Sequence, residues 1–406
     1  MSKVVVLGGG GGIGSVAARA LAALEAFDEI VVADLRVDEA AKLATSLGGG
    51  RVTSALVDVA DPASIASALR GASVVLNCVG PFYRFGLPVL KAALEARVNY
   101  VDVCDDLAPT RAMLELDGAA RDAGVSALVG MGNSPGLANV FVKLCAEMLL
   151  DQIEEVDIMH IHGGEPEEGP AVVKHRIHAM VNDVPLFIDG RFVSVRQLEE
   201  SGQAYVVESD FRNVGRFPVY PYPHPETITL PAYIPGLKRA TNLGVIFPLS
   251  YFRLTQDMVR VGACVETPLE VDGHRISPLD FSVAHILRRR PALLAEAGVR
   301  GPAGCLKVVV GGLKAGKKQS FVFQLSSTSA GAGEGTGIPA AVGAVLMGRG
   351  AITRKGVFPP EAAVSPLEVM TLALSASKKL GAGGSDAVHI ESIDEHGERR
   401  TLPLSF

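Results

Sequence analysis

Residues Lys3–Arg36 read KVVVLGGGGGIGSVAARALAALEAFDEIVVADLR. Val4 to Leu7 is a short, mostly β-branched apolar run, which predicts a buried strand. Five glycines follow, Gly8, Gly9, Gly10, Gly11 and Gly12, then Ile13 and a sixth, Gly14. Val16, Ala17, Ala20, Leu21 and Leu24 recur at helical spacing. A second apolar run, Ile30 to Ala33, ends in Asp34. Strand, glycine turn, helix, strand and acid, in that order, make a dinucleotide-binding βαβ unit.

The residue types follow from the chemistry. A pyrophosphate sits at a helix N-terminus only where backbone N–H groups can approach it, and side chains on the turn would block that approach. Two registers fit. Gly9, Gly11 and Gly14 give GxGxxG; Gly8, Gly11 and Gly14 give GxxGxxG. Both place the phosphates near Gly10 to Ile13. Asp34 would accept hydrogen bonds from the ribose hydroxyls and repel a 2′-phosphate, which favours NAD. Arg36, two residues on, would pair with that phosphate instead and accommodate NADP.

Outward from this unit, strands and helices alternate. Val52 to Val57 predicts a strand ending at Asp58 and Val59, the adenine edge. Asp61-Pro62 caps and starts a helix. Val74 to Cys78 predicts the fourth strand, with Val79 and Gly80 at its carboxyl end, beside the nicotinamide. Pro88 to Ala96 reads as helix, Tyr100 to Val103 as strand, Met113 to Ala123 as helix and Ser126 to Val129 as the sixth strand. The fold class is α/β: a Rossmann, doubly wound parallel sheet over residues 1–130.

From Gly130 the pattern changes. A turn-rich junction and a helix, Ala138 to Leu150, lead into strand-like runs. These include VDIMHIHGG, VVKHRIHAMV, LTQDMVRVGACVE and a ribbon, VVVGGLKAGKKQSFVFQL. Residues 131–335 therefore form a second, α+β domain with a largely antiparallel sheet, for substrate and dimerisation. In the segment 336–406, the small-residue helix Gly337 to Met347 returns to the nucleotide domain, and the tail from about 385 predicts an edge strand pair.

Bulk properties narrow the function. A chain of 406 residues exceeds one ordinary domain. A net charge of −6 gives no reason to expect nucleic acid or anionic membrane as partner. No apolar run is long enough for a membrane span and no leader precedes the first strand, so a cytoplasmic protein is expected. Cys78, Cys104, Cys145, Cys264 and Cys305 form no CxxC pair, which predicts reduced thiols and no metal site.

Six runs carry a specific resemblance: NCVGPF at 77–82, YVDVCDD at 100–106, GMGNSPGLANV at 130–140, HGGEPEEGP at 162–170, VVVGGLKAGKK at 308–318 and MGRGAITRKGVFPPE at 347–361. With the glycine turn, they make the chain resemble the saccharopine dehydrogenase (saccharopine reductase) and lysine 6-dehydrogenase family over residues 1–365. The resemblance implies a two-domain, often dimeric, NAD- or NADP-dependent oxidoreductase acting on the C–N bond of an amino acid. It also places the substrate near Val172 to Gly190, a segment richer here in His and Arg.

Amine oxidation needs a base, and an amino-acid carboxylate needs a cationic partner. Strand alternation puts Lys174, Arg176 and His178 on one face and His175 on the other. Lys174, His178 and His224 are the candidate catalytic residues. Arg176, His175, Glu226 and Asp105 are the candidate substrate contacts, with His224 and Glu226 in a stiff proline-flanked loop. Gly8 to Gly14, Asp34, Arg36, Asp58, Val59, Cys78, Val79, Gly80, Asp102, Cys104 and Asn133 are the candidate cofactor contacts. Cys104 is expected to wall the nicotinamide, and Asn133 to close over its carboxamide or to form a hinge. Two other readings stand beside amine chemistry: a nucleotide-binding regulator without turnover, and a reductase of a carbonyl or enoyl substrate.

Overall fold

Buried β-branched runs build the first sheet. The computed structural model describes residues 2–48, 50–328, 333–381 and 388–403. β1 (Lys3–Leu7), α1 (Gly12–Leu24) and β2 (Glu29–Asp34) form the opening unit. Then come α2 (Val37–Ser46), β3 (Val52–Leu56), α3 (Pro62–Leu69), β4 (Val74–Asn77) and α4 (Phe82–Glu95). β5 (Asn99–Asp102), α5 (Leu107–Leu114), α6 (Asp117–Asp122) and β6 (Ser126–Leu128) complete the alternation. Val4 to Leu7 are fully buried because helices cover both faces of the sheet. Asp61 accepts from Ala63 N at 2.9 Å and Pro62 occupies the first position of α3.

The chain then leaves this domain. α7 (Leu137–Leu144) runs through a π turn into β7 (Gln152–Gly163), followed by α8 (Pro170–Val181), β8 (Val184–Ile188) and β9 (Arg191–Val195). Next are α9 (Glu200–Gln203), β10 (Val207–Phe211), β11 (Gly215–Pro221), α10 (Glu226–Tyr233) and β12 (Arg239–Phe247). α11 (Leu249–Arg260), the short hairpin β13 (Leu269–Val271) and β14 (His274–Ile276), and α12 (Pro278–Glu296) precede the ribbon β15 (Ala303–Lys314) and β16 (Lys317–Ser327). α13 (Gly333–Gly348), β17 (Gly356–Phe358), α14 (Pro360–Ala363) and α15 (Pro366–Leu380) lead to β18 (Val388–Ile393) and β19 (Arg399–Leu402).

The first sheet is parallel, in the order β17-β6-β5-β4-β1-β2-β3. β17 is a seventh strand absent from the sequence reading. It comes from the C-terminal segment and pairs with β6 from Gly356↔Ser126 to Phe358↔Leu128. α13 packs across α1 and α15. The second sheet runs β10-β11-β12-β7-β15-β16-β18-β19, with the β8–β9 hairpin attached to β12. Its ladders are antiparallel except β12 on β7.

Alternation on β7 gives the second sheet two faces. Val156 and Ile158 join the core shared with the nucleotide domain, where Phe141 stacks on Phe323; Ile161 joins a separate core under α8, α11 and α12. His160 has the parity of Val156 and Ile158, and Asn242 and Gly244 on β12 have that of Ala240. The sheet therefore turns these three residues towards the nucleotide domain.

Two segments differ from their expected state. LTQDMVR is helical, within α11, and Val172 to Val181 lies in α8. In α8 the β-branched residues suggested a strand. Pro170 at the first turn after Gly169 is instead a helix start, and Val173, Arg176, Ile177 and Met180 bury one helical face. The predicted helix over 113–123 is interrupted, since α5 ends at Leu114 and α6 starts at Asp117. The tail forms the hairpin β18–β19 at the sheet edge; residues 385–387 and 404–406 of the expected pair lie outside the described residues.

Candidate functional site

The glycine turn is built for close approach. Gly14 sits where a Cβ would lie 2.1 Å from the Gly8 carbonyl oxygen, so α1 can pack onto the turn only with glycine there. A Cβ on Gly12 would meet nothing within 4 Å. The first turn of α1 carries no acidic side chain, and the first N–H groups of any helix lack intrahelical partners. The turn therefore fits a pyrophosphate. Asp34 is held from both sides, accepting from Gly10 N and from Arg36 N, each at 2.9 Å. Arg36 itself is 66% exposed at its side chain. Asp58 accepts from Ala60 N at 2.8 Å. Cys78 and Val79 are partly buried and Gly80 is exposed at the carboxyl end of β4, while Asn133 is partly buried beside Gly335.

Asp102 and Cys104 do not line that space, because both are fully buried. Asp102 accepts from Gly130 N at 2.7 Å, Cys104 N at 3.1 Å and the Tyr100 hydroxyl at 2.8 Å. It ties β5 to the domain junction, and burial outweighs these bonds to push its carboxyl up to about 6. Cys104 Sγ lies 3.5 Å from the Thr110 hydroxyl, and burial raises its pKa well above the thiol range.

The helical state of α8 disperses its predicted cluster. Residues two apart on a helix point to nearly opposite sides. Lys174 pairs with Asp280 at 2.6 Å and His178 with Glu266 at 3.6 Å, with side chains 42% and 51% exposed. The structure commits both to exposed carboxylates and does not bring them together with the buried polar groups of the junction. Arg176 turns into the core. It donates to Glu168, which also accepts from the Tyr251 hydroxyl, and its guanidinium lies 5.2 Å from the Tyr251 ring centroid. This ion pair, not a substrate carboxylate, is its partner. His175 alone points to the junction, with Nδ1 3.6 Å from Asp106 and its ring 6.4 Å from that of Tyr222.

The polar groups that converge come from elsewhere. His160 stacks on His224 at 5.3 Å and meets Tyr222 edge-on at 5.1 Å. Its ring lies across Gly244, where a Cβ would come within 2.2 Å of it. His224 Nδ1 is 3.5 Å from Glu226 Oε2, an ion-pair separation without hydrogen-bond geometry. Glu226 opens α10, not a loop, is fully buried, and accepts from the Ser134 hydroxyl on the junction. Asn242 Nδ2 reaches the same hydroxyl at 3.4 Å. His160 Nε2, His224 Nδ1, Glu226 Oε2 and Asn242 Oδ1 are buried and have no hydrogen-bond partner within the chain.

The two histidines are driven apart electrostatically. Burial, then the charges of His224 and His162, hold His160 well below the usual imidazole value, so it is neutral. Burial also opposes a charge on His224, but Glu226, reinforced by Asp105 and Asp106, overcomes this and raises it. Burial and the neighbouring Asp105 raise Asp106. Two titratable groups with opposed shifts mark an acid and a base. His160, Tyr222, Asn242 and Gly244 were not singled out by sequence as site residues, because β7, β12 and the 222–226 loop meet only in three dimensions.

Among the described residues no group of three or more His, Cys, Asp or Glu is arranged to hold a metal ion, and no helix is long and apolar enough to cross a membrane.

Comparison with known proteins agrees with this architecture. Residues 4–128 match the family model described as the saccharopine dehydrogenase NADP binding domain. Carboxyaminopropylagmatine dehydrogenase of Synechocystis sp. is 28% identical over 377 residues, covering 88% of this chain and 92% of that protein. Carboxynorspermidine synthase of Vibrio cholerae is 25% identical, covering 86% and 90%. The structure of saccharopine dehydrogenase (L-Glu forming) from Saccharomyces cerevisiae shares the fold, with a TM-score of 0.69 over 99% of this chain and all of that one at 16% identity. Residues 4–128 thus match a saccharopine dehydrogenase NADP-binding domain, and the whole chain has the fold of saccharopine dehydrogenase.

Proposed function

We propose that this protein is an NADP-dependent oxidoreductase of a secondary amine that bears a carboxylate and a further cationic group. The observation that carries this is the His160–His224–Glu226 cluster at the domain junction, whose buried polar atoms lack partners within the chain. When bound, the nicotinamide exchanges a hydride with the carbon of the C–N bond. The chain's own residues handle charge and protons. His224, held as a cation by Glu226, donates its proton to the carbinolamine hydroxyl, which leaves as water as the imine forms; the neutral imidazole left behind takes a proton from the attacking water in the reverse direction. His160, neutral, takes the proton from the ammonium form of the amine. Asp105, Asp106 and Glu226 make the cleft acidic, which suits a cationic substrate and disfavours an uncharged carbonyl compound.

The cofactor lean towards NAD rested on Asp34. Both Asp34 oxygens are engaged by backbone N–H groups, whereas the exposed Arg36 guanidinium is held only by a loose 3.8 Å ion pair from Nε to Asp34 Oδ1 and can turn to a 2′-phosphate. The matched domain is of an NADP-binding description, and this supports NADP. The substrate class is suggested by the relatives, whose names specify carboxyaminopropylagmatine and carboxynorspermidine. The test follows reduced-nicotinamide absorbance with those two compounds, saccharopine and lysine. Turnover of at least one carboxylated polyamine-type substrate with NADP is expected. Cofactor binding with no turnover of any amine would refute the reading.

A further inference from the structure

Ser134 has a partner on each side, and both belong to the second domain. Its hydroxyl donates to Glu226 Oε1 on α10, and Asn242 Nδ2 on β12 lies 3.4 Å from the same oxygen. Beyond Glu226 stands His224, with Nδ1 3.5 Å from Glu226 Oε2. Beyond Asn242 stands His160. Burial keeps that ring from taking a charge, while the Asn242 amide, as a hydrogen-bonding neighbour, favours a proton on it. His160 Nε2 and Asn242 Oδ1 are the buried atoms left unpartnered at that end. They stop short of a full hydrogen bond, as catalytic contacts often do before a substrate binds. One hydroxyl of the junction loop therefore stands between the acid and the base.

The loop that carries Ser134 is held from several directions. The φ of Gly136 is +128°, and a Cβ there would lie 1.8 Å from the Gly132 carbonyl oxygen. Gly132 N donates to Pro135 O and Leu137 N donates to Gly132 O, each at 2.9 Å, which closes the stretch into a knot. Asn139, fully buried, accepts from Gly136 N at 2.9 Å through Oδ1 and donates from Nδ2 to Glu361 Oε2 at 2.8 Å. The first turn of α13 lies against the same knot, with Thr336 beside Gly132 and Gly335 beside Asn133. Ser134 thus reaches the second domain from a fixed base.

One proton per hydroxyl gives this row of groups a direction. An ionised carboxylate only accepts, so the Ser134 proton goes to Glu226, the carboxylate that overcomes burial to keep His224 charged. The Ser134 oxygen is left to accept. The Asn242 amide therefore turns Nδ2 towards it and Oδ1 towards His160. Reversing the amide would set two oxygens against each other with no proton between them. Oδ1 only accepts as well, and a neutral imidazole has a single N–H. That proton sits on His160 Nε2, and the lone pair is on Nδ1.

We propose that Ser134 is a positioning residue whose single proton sets the tautomer of His160: through Asn242 it holds the ring proton on Nε2 and leaves Nδ1 as the atom that takes the proton of the substrate. This rests on the reading of His160 as the base and His224 as the acid. The same hydroxyl serves both. It makes the one hydrogen bond of the Glu226 carboxyl among the described residues, and it anchors the Asn242 amide. A base of the wrong tautomer would present an N–H to the substrate ammonium and could not accept its proton.

The test reads the tautomer itself. In the full chain carrying isotopically labelled histidine, the ring nitrogens of a neutral imidazole resonate differently according to which bears the hydrogen, and His160→Gln identifies the signal. Wild type should show His160 with its hydrogen on Nε2. Hydrogen on Nδ1, or an even mixture, would overturn the proposal. Ser134→Ala removes the proton and the anchor, so it should give a mixture of tautomers and lower kcat at least about tenfold, with KM altered less than about twofold. Ser134→Thr keeps the hydroxyl and should restore the wild-type signal. An unchanged tautomer in Ser134→Ala, or the same shift in alanine and threonine variants, would also overturn the proposal. If Ser134→Ala does not fold, Asn242→Ala breaks the row one link further on and decides by the same signal. Absence of amine turnover beside a tautomer that depends on Ser134 would refute the proposed function and leave this inference standing.

Discussion

Gly244→Ala isolates the contact on which the candidate site depends. Gly244 lies on β12 directly beneath His160, and its φ is ordinary for any residue, so alanine brings no backbone strain. The added Cβ would sit 2.2 Å from His160 Cε1, 2.6 Å from Nε2 and 2.9 Å from Nδ1, and ordinary contact starts at 3.4 Å. The ring must retreat by roughly 1 Å, and a misplacement of that size in a catalytic group costs about a hundredfold in rate. The displaced atoms belong to the far end of one side chain, so the cost in stability should stay within roughly 1–3 kcal/mol, in the usual range for overpacking. The assay is steady-state turnover with NADP and the best amine of the panel, beside thermal unfolding and cofactor affinity. A folded protein with normal cofactor affinity and kcat reduced about a hundredfold is expected. Wild-type kcat with a wild-type pH profile would show that His160 does not act, and the site would have to be sought elsewhere.

Further outcomes follow from the same geometry. Glu226→Gln removes the carboxylate that holds His224 as a cation, so the pH limb governed by His224 should move to lower pH; an unmoved limb counts against the pair. The same shift bears on stability. A histidine raised on folding contributes stability that is complete below its unfolded value, about 6.5, and lost as pH rises through the folded value, and this loss should shrink in Glu226→Gln unfolding curves. Arg36→Ala should raise KM for NADP by about tenfold, in keeping with loss of one charge-assisted contact, with KM for NAD altered less than twofold. Lys174→Ala and His178→Ala remove exposed ion pairs and should change kcat less than twofold and stability by at most about 1 kcal/mol. Gly14→Ala drives a Cβ into the Gly8 carbonyl and should abolish cofactor binding in a calorimetric titration.

The nucleotide domain was legible because its signals are local. A buried parallel strand needs a continuous apolar run, a pyrophosphate needs glycine, and both constraints fall within a few dozen residues of one another. The missing seventh strand shows the limit. Gly356–Phe358 is three residues long, and nothing in it marks a strand until β6 offers an open edge more than two hundred residues earlier in the chain. α8 shows a second limit. Its β-branched content suggested a strand, but a helix packed on α11 and α12 buries Val173, Arg176, Ile177 and Met180 in one stripe, and tertiary packing prevailed over propensity. Reading that segment with period two, not three and a half, placed Lys174 and His178 on an inner face that does not exist.

The site was only partly legible because its members are related by sheet parity, not by sequence distance. Glu226 and His224 drew notice through their prolines, and His175 through its neighbours. The significance of His160 needs Gly244, 84 residues on, to leave room for the ring. Asn242 needs Ser134, and Ser134 needs the knot of Gly132 and Gly136. The arrangement also separates the two halves of the chemistry. Residues on the first sheet hold a nucleotide through backbone and glycine, and that requirement tolerates no alternative side chains. His160 on β7, His224 and Glu226 at the start of α10, and Asp105 and Asp106 after β5 set two histidine charges in opposite directions through burial and carboxylates, which many sequences satisfy. The same glycine turn can therefore serve proteins with different substrates, and the proposed function puts specificity where β7, β12 and α10 meet the junction.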